Sequence, residues 1–334
     1  MEIRETTKRL YWSHYRRFLR WLSDNKKDRN DPKNWADALD KLTRDCTKKT
    51  WRLYRNATFW STKEMFGEVF ANQYFMQTEL LEKPTKKSKK LLKRIEFNVL
   101  KNILAELTRR NTEPSKRLAD IIVTMIATGI RPVELSTANL KKSDHQYELV
   151  VVNAKYREAE DDVPARANGL TRSLIIDGDE KDIIGSIKNA LKYCHGRNWS
   201  SMAANINRRF RRVIKKLITE KKITRKWQKL RLYDCRHQFS ANAKALLNTA
   251  AGEVAAAMGH RSVETAVSHY GQRKYANAGG LIVRPSPSSI AAVDNLTISK
   301  FNDTLTRNQK RKNAKAGKTN VKSNDLSQLI KPKP

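Results

Sequence analysis

The spacing of the apolar residues most constrains what this chain can fold into, because it keeps a helical period almost throughout and abandons it at only two short stretches. Tyr11, Tyr15, Phe18 and Leu22 fall at i, i+4, i+7 and i+11, one stripe of a helix, with Arg16, Arg17 and Arg20 off that stripe. Phe97, Leu100, Ile103, Leu104 and Leu107 mark a second amphipathic helix. Leu118, Ile121, Ile122, Met125 and Ile126 mark a third, more deeply buried, that should stop at Gly129. Ile206, Phe210, Val213 and Leu217 repeat the pattern, and helical stretches continue to about residue 270. The exceptions are Tyr147–Val152 and Arg172–Ile176, short β-branched runs separated by a polar stretch with Asn168-Gly169, which read as a β-hairpin with a long connection. The expected fold class is therefore mainly α with a small β-sheet (α+β). No internal repeat is present.

Composition divides the chain further. Residues 83–94, KPTKKSKKLLKR, combine a proline with a dense run of cations and read as a basic linker. Before it, 1–82 form a helical unit whose second aromatic stretch (Trp51, Tyr54, Phe59 to Phe66) keeps basic company in Lys48, Lys49, Arg52 and Arg55. After it, 95–279 form a larger unit. From 280 to 334 a basic segment rich in Ser, Asn, Thr and Lys reads as a flexible tail with one weak helix around Ile290 to Leu305.

Charge narrows the partners. The 334 residues hold 68 Lys+Arg against 34 Asp+Glu, a formal net charge of +34. An excess of this size favours a polyanion, because neutralising phosphates releases condensed counterions. No apolar run approaches the roughly 18 residues of a membrane span, and the first residues, MEIRETTKRLYW, do not read as a secretory leader. Nucleic acid is thus expected over membrane, in a cytoplasmic, nucleoid-associated protein. Cys46, Cys194 and Cys235 are odd in number and show no CxxC spacing, which indicates neither a disulfide framework nor a zinc site.

If the polyanion is also a substrate, cutting a phosphodiester without a metal needs three things. They are a nucleophile, fixed cations over the non-bridging oxygens, and an acid for the leaving oxygen. Arginine suits the second role because its planar fork meets phosphate oxygens in pairs and keeps its charge. A metal-dependent nuclease would instead cluster Asp and Glu; here the densest run, Glu158 to Asp162, reads as a solvated turn. Three stretches supply the kit in order. Thr128 to Leu135 (TGIRPVEL) places Arg131 just past a buried helix. Tyr233-Asp234-Cys235-Arg236-His237 opens a helix carrying Phe239, Ala243 and Leu246. Met258-Gly259-His260 is followed by Thr265 and then His269-Tyr270-Gly271.

These three boxes, in this order and at these separations, resemble those of the tyrosine recombinases, the phage integrase family. The resemblance covers about residues 95 to 275; the N-terminal unit is similar to the family's core-binding domain only in length, helicity and charge. It implies a helical core-binding domain joined to a catalytic domain, closing on duplex DNA as a C-shaped clamp. Arg131 and Arg236 would grip the scissile phosphate, and His260 would hydrogen-bond a non-bridging oxygen. Lys155 would protonate the leaving 5′ oxygen, and Tyr270 would attack phosphorus to give a 3′-phosphotyrosyl link. A site-specific recombinase of a mobile element follows, acting as a homotetramer on two DNA duplexes with DNA-bending accessory proteins as further partners. No cofactor and no metal are expected.

The chain departs from the family's pattern at Tyr233, where a histidine is usual; a phenol can donate to phosphate but is a weak base near neutral pH. The gap from His260 to Tyr270 is also one residue longer than in many members, although the HYG ending resembles a recognised subset. Several alternatives stay open on the residues alone. Tyr275 is a second candidate nucleophile, and Lys141 and Lys142 rival Lys155. Arg131 could be a helix-capping cation, Glu134 a structural partner of an arginine, His237 a buried and satisfied histidine, and His269 a packing residue. A type IB-like topoisomerase or hairpin resolvase would share the nucleophile and arginines, and a catalytically silent DNA-binding protein would share the fold.

Overall fold

In the computed structural model, which describes residues 5–87, 92–159, 165–245, 251–265, 270–277, 283–294 and 303, the chain divides into two units, 1–90 and 91–334. The first is helical: α1 (Glu5–Asp24), α2 (Pro32–Thr43), α3 (Lys48–Phe66) and α4 (Glu68–Glu79). Asp31 caps α2 by accepting from the Lys33 amide, and Thr47 caps α3 by accepting from Thr50. Gly67, at φ 87°, breaks α3 from α4. Its core is aromatic. Tyr15, Phe18, Leu22, Trp35, Trp51 and Tyr74 are buried together, and the Tyr15 and Trp35 rings stack at 5.2 Å. Tyr11 is half-buried at the end of the stripe, and Arg16, Arg17 and Arg20 are exposed. Arg55 is not one of the solvated cations that its neighbours suggest. It is buried, ion-paired to Glu79, with its guanidinium 3.6 Å from the Phe75 ring centroid.

The second unit packs its helices and a small sheet onto one shared core. α5 (Phe97–Arg110) and α6 (Glu113–Thr128) carry the two expected apolar stripes into one core. The sheet has the order β1-β2-β3-β4, every pair antiparallel, with β1 Asn139–Ser143, β2 Gln146–Val152, β3 Thr171–Asp177 and β4 Val283–Pro285. Tyr147 pairs with Ile176 and Val152 with Thr171, so the anticipated hairpin forms with its long connection. The alternation of β3 buries Arg172, Leu174 and Ile176 on one face. α7 (Lys181–Cys194), α8 (Trp199–Thr219), α9 (Asp234–Ala245) and α10 (Ala251–Ala257) complete the unit. No helix among the described residues is long and apolar enough to cross a membrane.

One expectation needs correcting in part. Within the segment read as a flexible tail from 280, residues 283–294 contribute β4, and a short helix at Pro287–Ala291, to the fold. Val283 and Val293 are buried, the Ser286 amide donates to the Ser173 carbonyl, and Ser289 Oγ accepts from the Ser173 amide. The Pro- and Ser-rich composition that looks unstructured is here capping and edge-strand chemistry. Residues 88–91 of the linker, Glu160 to Asp162, Leu246, His269, Gly279, and the tail from 295 on except Asp303 lie outside the described residues.

Candidate active site

The first arginine is placed by the way α6 ends. Gly129 takes φ 66°, and a Cβ there would run into the Phe239 ring, so the position is closed to other residues on two counts. The chain then starts a short 3₁₀ turn at Pro132, with Arg131 preceding it. The Arg131 amide donates to Glu134 Oε2 at 2.8 Å, and its Nη1 donates to Oε1. Glu134 also accepts from Arg172 Nη2 at 2.8 Å and from the Ala154 amide at 3.3 Å. Burial alone would raise the Glu134 carboxyl, but Arg172, Arg131 and Arg236 overcome it and hold the group far below the usual carboxylate range. Glu134 is thus the anionic hub of the site, and it anchors the turn that carries Lys155.

The second arginine comes from α9. Asp234 accepts from the Arg231 amide at 2.9 Å and opens the helix, which presents Arg236 inward, fully buried. Arg236 donates to the carbonyls of Gly129 and Met258, and its Nη2 lies 3.1 Å from His260 Nε2. A guanidinium only donates, so His260 Nε2 accepts and its hydrogen sits on Nδ1. Burial, then Arg236 and Arg131, push His260 well below its ordinary pKa, which keeps the ring neutral. It is delivered by Gly259 at φ 65°, where a Cβ would strike Asn153 Oδ1 and the Arg172 guanidinium.

Two tyrosines close the cluster. The Tyr233 and Tyr270 hydroxyls are 3.0 Å apart. The Tyr270 ring lies 4.8 Å from His260 and 5.0 Å from His237, and the Arg236 guanidinium is 5.3 Å from its centroid. Burial would raise the Tyr270 phenol. Arg236, the hydrogen bond from Tyr233, and Arg131 outweigh that and bring it below the ordinary value of 10. Tyr233 moves the other way, chiefly through burial. Either hydroxyl can donate, and with Tyr233 as the donor the pair is polarised so that Tyr270 is the oxygen that better tolerates charge. Lys155 stands at the rim, open to solvent. Partial desolvation and then Arg131 lower its ammonium, while Tyr270 pulls it back up.

Arg131, Tyr233, Arg236, His260 and Tyr270 thus come together, with Lys155 at their edge. Tyr275 does not join them: its ring packs under the Arg94 guanidinium at 4.0 Å. Lys141 and Lys142 are exposed on β1. His237 is buried as expected but not satisfied, since its Nδ1 has no hydrogen-bond partner among the described residues. Two residues were missed. Arg172 and Asn153 form the floor of the cluster, and the only signal in the sequence was an arginine at a core-facing position of the β3 alternation.

Two buried guanidiniums, Arg131 and Arg172, therefore pair with one carboxylate, Glu134, and the third, Arg236, is buried nearby with only carbonyls and His260 as hydrogen-bond partners. In addition Arg131 Nε, Arg236 Nε and His260 Nδ1 are buried with no hydrogen-bond partner among the described residues. Buried donors of this kind cost about 1–3 kcal/mol each when left unmade, so the arrangement favours an oxyanion and, at Tyr270, a phenolate.

No protein-family model and no curated protein matches the chain. Among solved structures it is similar to the XerH site-specific recombinase bound to palindromic difH substrate in a post-cleavage complex. The two share 14% sequence identity with a TM-score of 0.44, over 81% of this chain and 75% of that one.

Proposed function

We propose that the protein is a tyrosine recombinase that cuts and rejoins double-stranded DNA through Tyr270. The observation that carries this reading is the excess of buried guanidinium charge gathered around a tyrosine whose phenol is pulled down, not up, despite its burial. Arg131 and Arg236 hold the scissile phosphate and stabilise its pentacoordinate transition state. His260 donates Nδ1–H to a non-bridging oxygen. Tyr270 Oη bonds to phosphorus as the P–O5′ bond breaks; its phenolic proton leaves to solvent, and Lys155 gives a proton to the 5′ oxygen. The phosphotyrosyl ester keeps the energy of the broken bond, so the reverse attack by the 5′ hydroxyl needs neither ATP nor metal. Tyr233 takes the place of the family's histidine, donating to Tyr270. Exchange between two sites requires four such active centres, which makes a homotetramer on two duplexes the working assembly and a mobile element's integrase the working context.

The test is a suicide substrate: nicked duplexes carrying candidate element ends, incubated with protein and EDTA and run on a denaturing gel. A covalent band whose released fragment is labelled by a 5′-kinase is the expected result. A band whose fragment resists labelling would reverse the polarity, and no band with DNA binding intact would make the fold a silent DNA binder. Relaxation of supercoiled plasmid by the monomer at no preferred site would indicate a topoisomerase instead.

A further inference from the structure

α9 does more than supply Arg236. Its next inward residues reach the backbone that follows Tyr270. Gln238 Nε2 donates to the Tyr275 carbonyl at 2.8 Å, Lys244 Nζ donates to the Gly271 carbonyl at 2.9 Å, and Asn242 Oδ1 accepts from the Asn277 amide at 2.9 Å. Gly271 is pressed so closely on the His237 carbonyl that a Cβ would collide with it. The seven residues after Tyr270 are therefore held at three points along one helix.

The same side chains take hold of the chain where it leaves the basic linker. Gln238 Oε1 accepts from the Ile95 amide at 2.8 Å, and Asn277 Nδ2 returns a hydrogen bond to the Ile95 carbonyl. Gln238 Nε2 also donates to Asn242 Oδ1 at 2.8 Å, and Arg94 covers the Tyr275 ring. Gln238 is fully buried and every polar atom of its amide is used. A glutamine in that state is committed to one geometry, since any displacement strands partners that cannot reach water.

We infer that Gln238 is a positioning residue. With Asn242, Lys244 and Asn277 it forms a latch that fixes the segment bearing Tyr270 to α9 and to the residues just after the linker. The inference rests on Tyr270 being the nucleophile. What the latch contributes is orientation: an attacking atom misplaced by about 1 Å costs roughly a hundredfold in rate without weakening binding. The three bonds from α9 all reach backbone atoms, at Gly271, Tyr275 and Asn277, so on that side the latch does not depend on which side chains stand at 272–276.

The experiment measures single-turnover formation of the covalent adduct and DNA dissociation constants for wild type, Gln238→Leu, Asn277→Ala, Lys244→Met and the Gln238→Leu/Asn277→Ala double variant. Thermal melting checks folding, and the adducted residue is mapped in each. The expected result is an adduct still on Tyr270, formed about 10- to 100-fold more slowly in the single variants, with DNA affinity unchanged. The two changes at 238 and 277 should be non-additive, because both release Ile95. Should Gln238→Leu fail to fold, Asn277→Ala and Lys244→Met, which change half-buried side chains, carry the same expectation. Wild-type rates in folded variants would overturn the latch and leave Tyr270 as nucleophile. Equal losses of rate and affinity would reduce it to ordinary structure. A wild-type adduct that maps to another residue would overturn both readings.

Discussion

At the scale of single residues, the site works by setting groups of the same kind against one another. Arg131 and Arg172 share Glu134, and Arg236, with the Tyr233 hydrogen bond and Arg131, is what depresses Tyr270. Replacing Arg236 by Ala should cut adduct formation by about 100- to 1000-fold, measured in single turnover. It should also destabilise the fold by about 1–3 kcal/mol in urea titration, because two buried carbonyls lose their donor. Tyr233 sits 3.0 Å from the Tyr270 hydroxyl and helps lower it. Tyr233→Phe removes that hydrogen bond, so the alkaline rise of the pH–rate profile should move to higher pH; an unmoved profile would detach Tyr233 from the nucleophile. The sequence placed Tyr233 only as an oddity in a box. Its hydrogen bond to Tyr270 spans 37 positions and no local pattern encodes it.

At the scale of elements, the joints matter more than the helices. Arg131 is reached across Gly129, and His260 across Gly259, both left-handed and both with a neighbour where a Cβ would stand. Gly259→Ala should therefore cost at least about 1–3 kcal/mol and lower cleavage further, because the neighbour it strikes is the Asn153–Arg172 floor; urea titration with adduct assay reads both. The helical stripes and the β2–β3 hairpin were legible because their apolar periods of 3.6 and 2 are strong local signals. β1 was not, being an exposed edge strand with two lysines, and β4 was not, because three residues with a proline carry no period. Arg55 shows the same limit: its charge was visible, its partner Glu79 was not. α8 bears Arg208, Arg211, Arg212 and Lys215 on its solvent side. Changing the three arginines to Ala should weaken DNA binding evenly across sequences and reduce the salt slope by about 0.9 for each phosphate no longer neutralised.

At the scale of the whole molecule, the buried histidines His237 and His260 tie stability to pH. Burial and surrounding cations bring His237 down to about 3 and His260 well below its ordinary value. Both are neutral when folded, and both take up a proton when unfolded at about 6.5. The unfolded state thus binds more protons below that pH, so stability is full above it and falls as pH drops from about 6.5 toward 3. Melting temperature against pH should show this fall, and His237→Phe should flatten part of it. Glu134 acts in the same direction at lower pH: its folded pKa is depressed too, so its contribution is complete above about 4.3 and is lost only in stronger acid. The central claim, that Tyr270 is the atom donor in a metal-free cut, has one most direct measurement. Wild-type protein is trapped on nicked duplex in EDTA, the DNA is digested to a nucleotide stub, and the modified peptide is sequenced by mass spectrometry. A nucleotide on Tyr270, lost in Tyr270→Phe, is the predicted result; a nucleotide on Tyr233 or Tyr275, or an adduct that survives Tyr270→Phe, would contradict it.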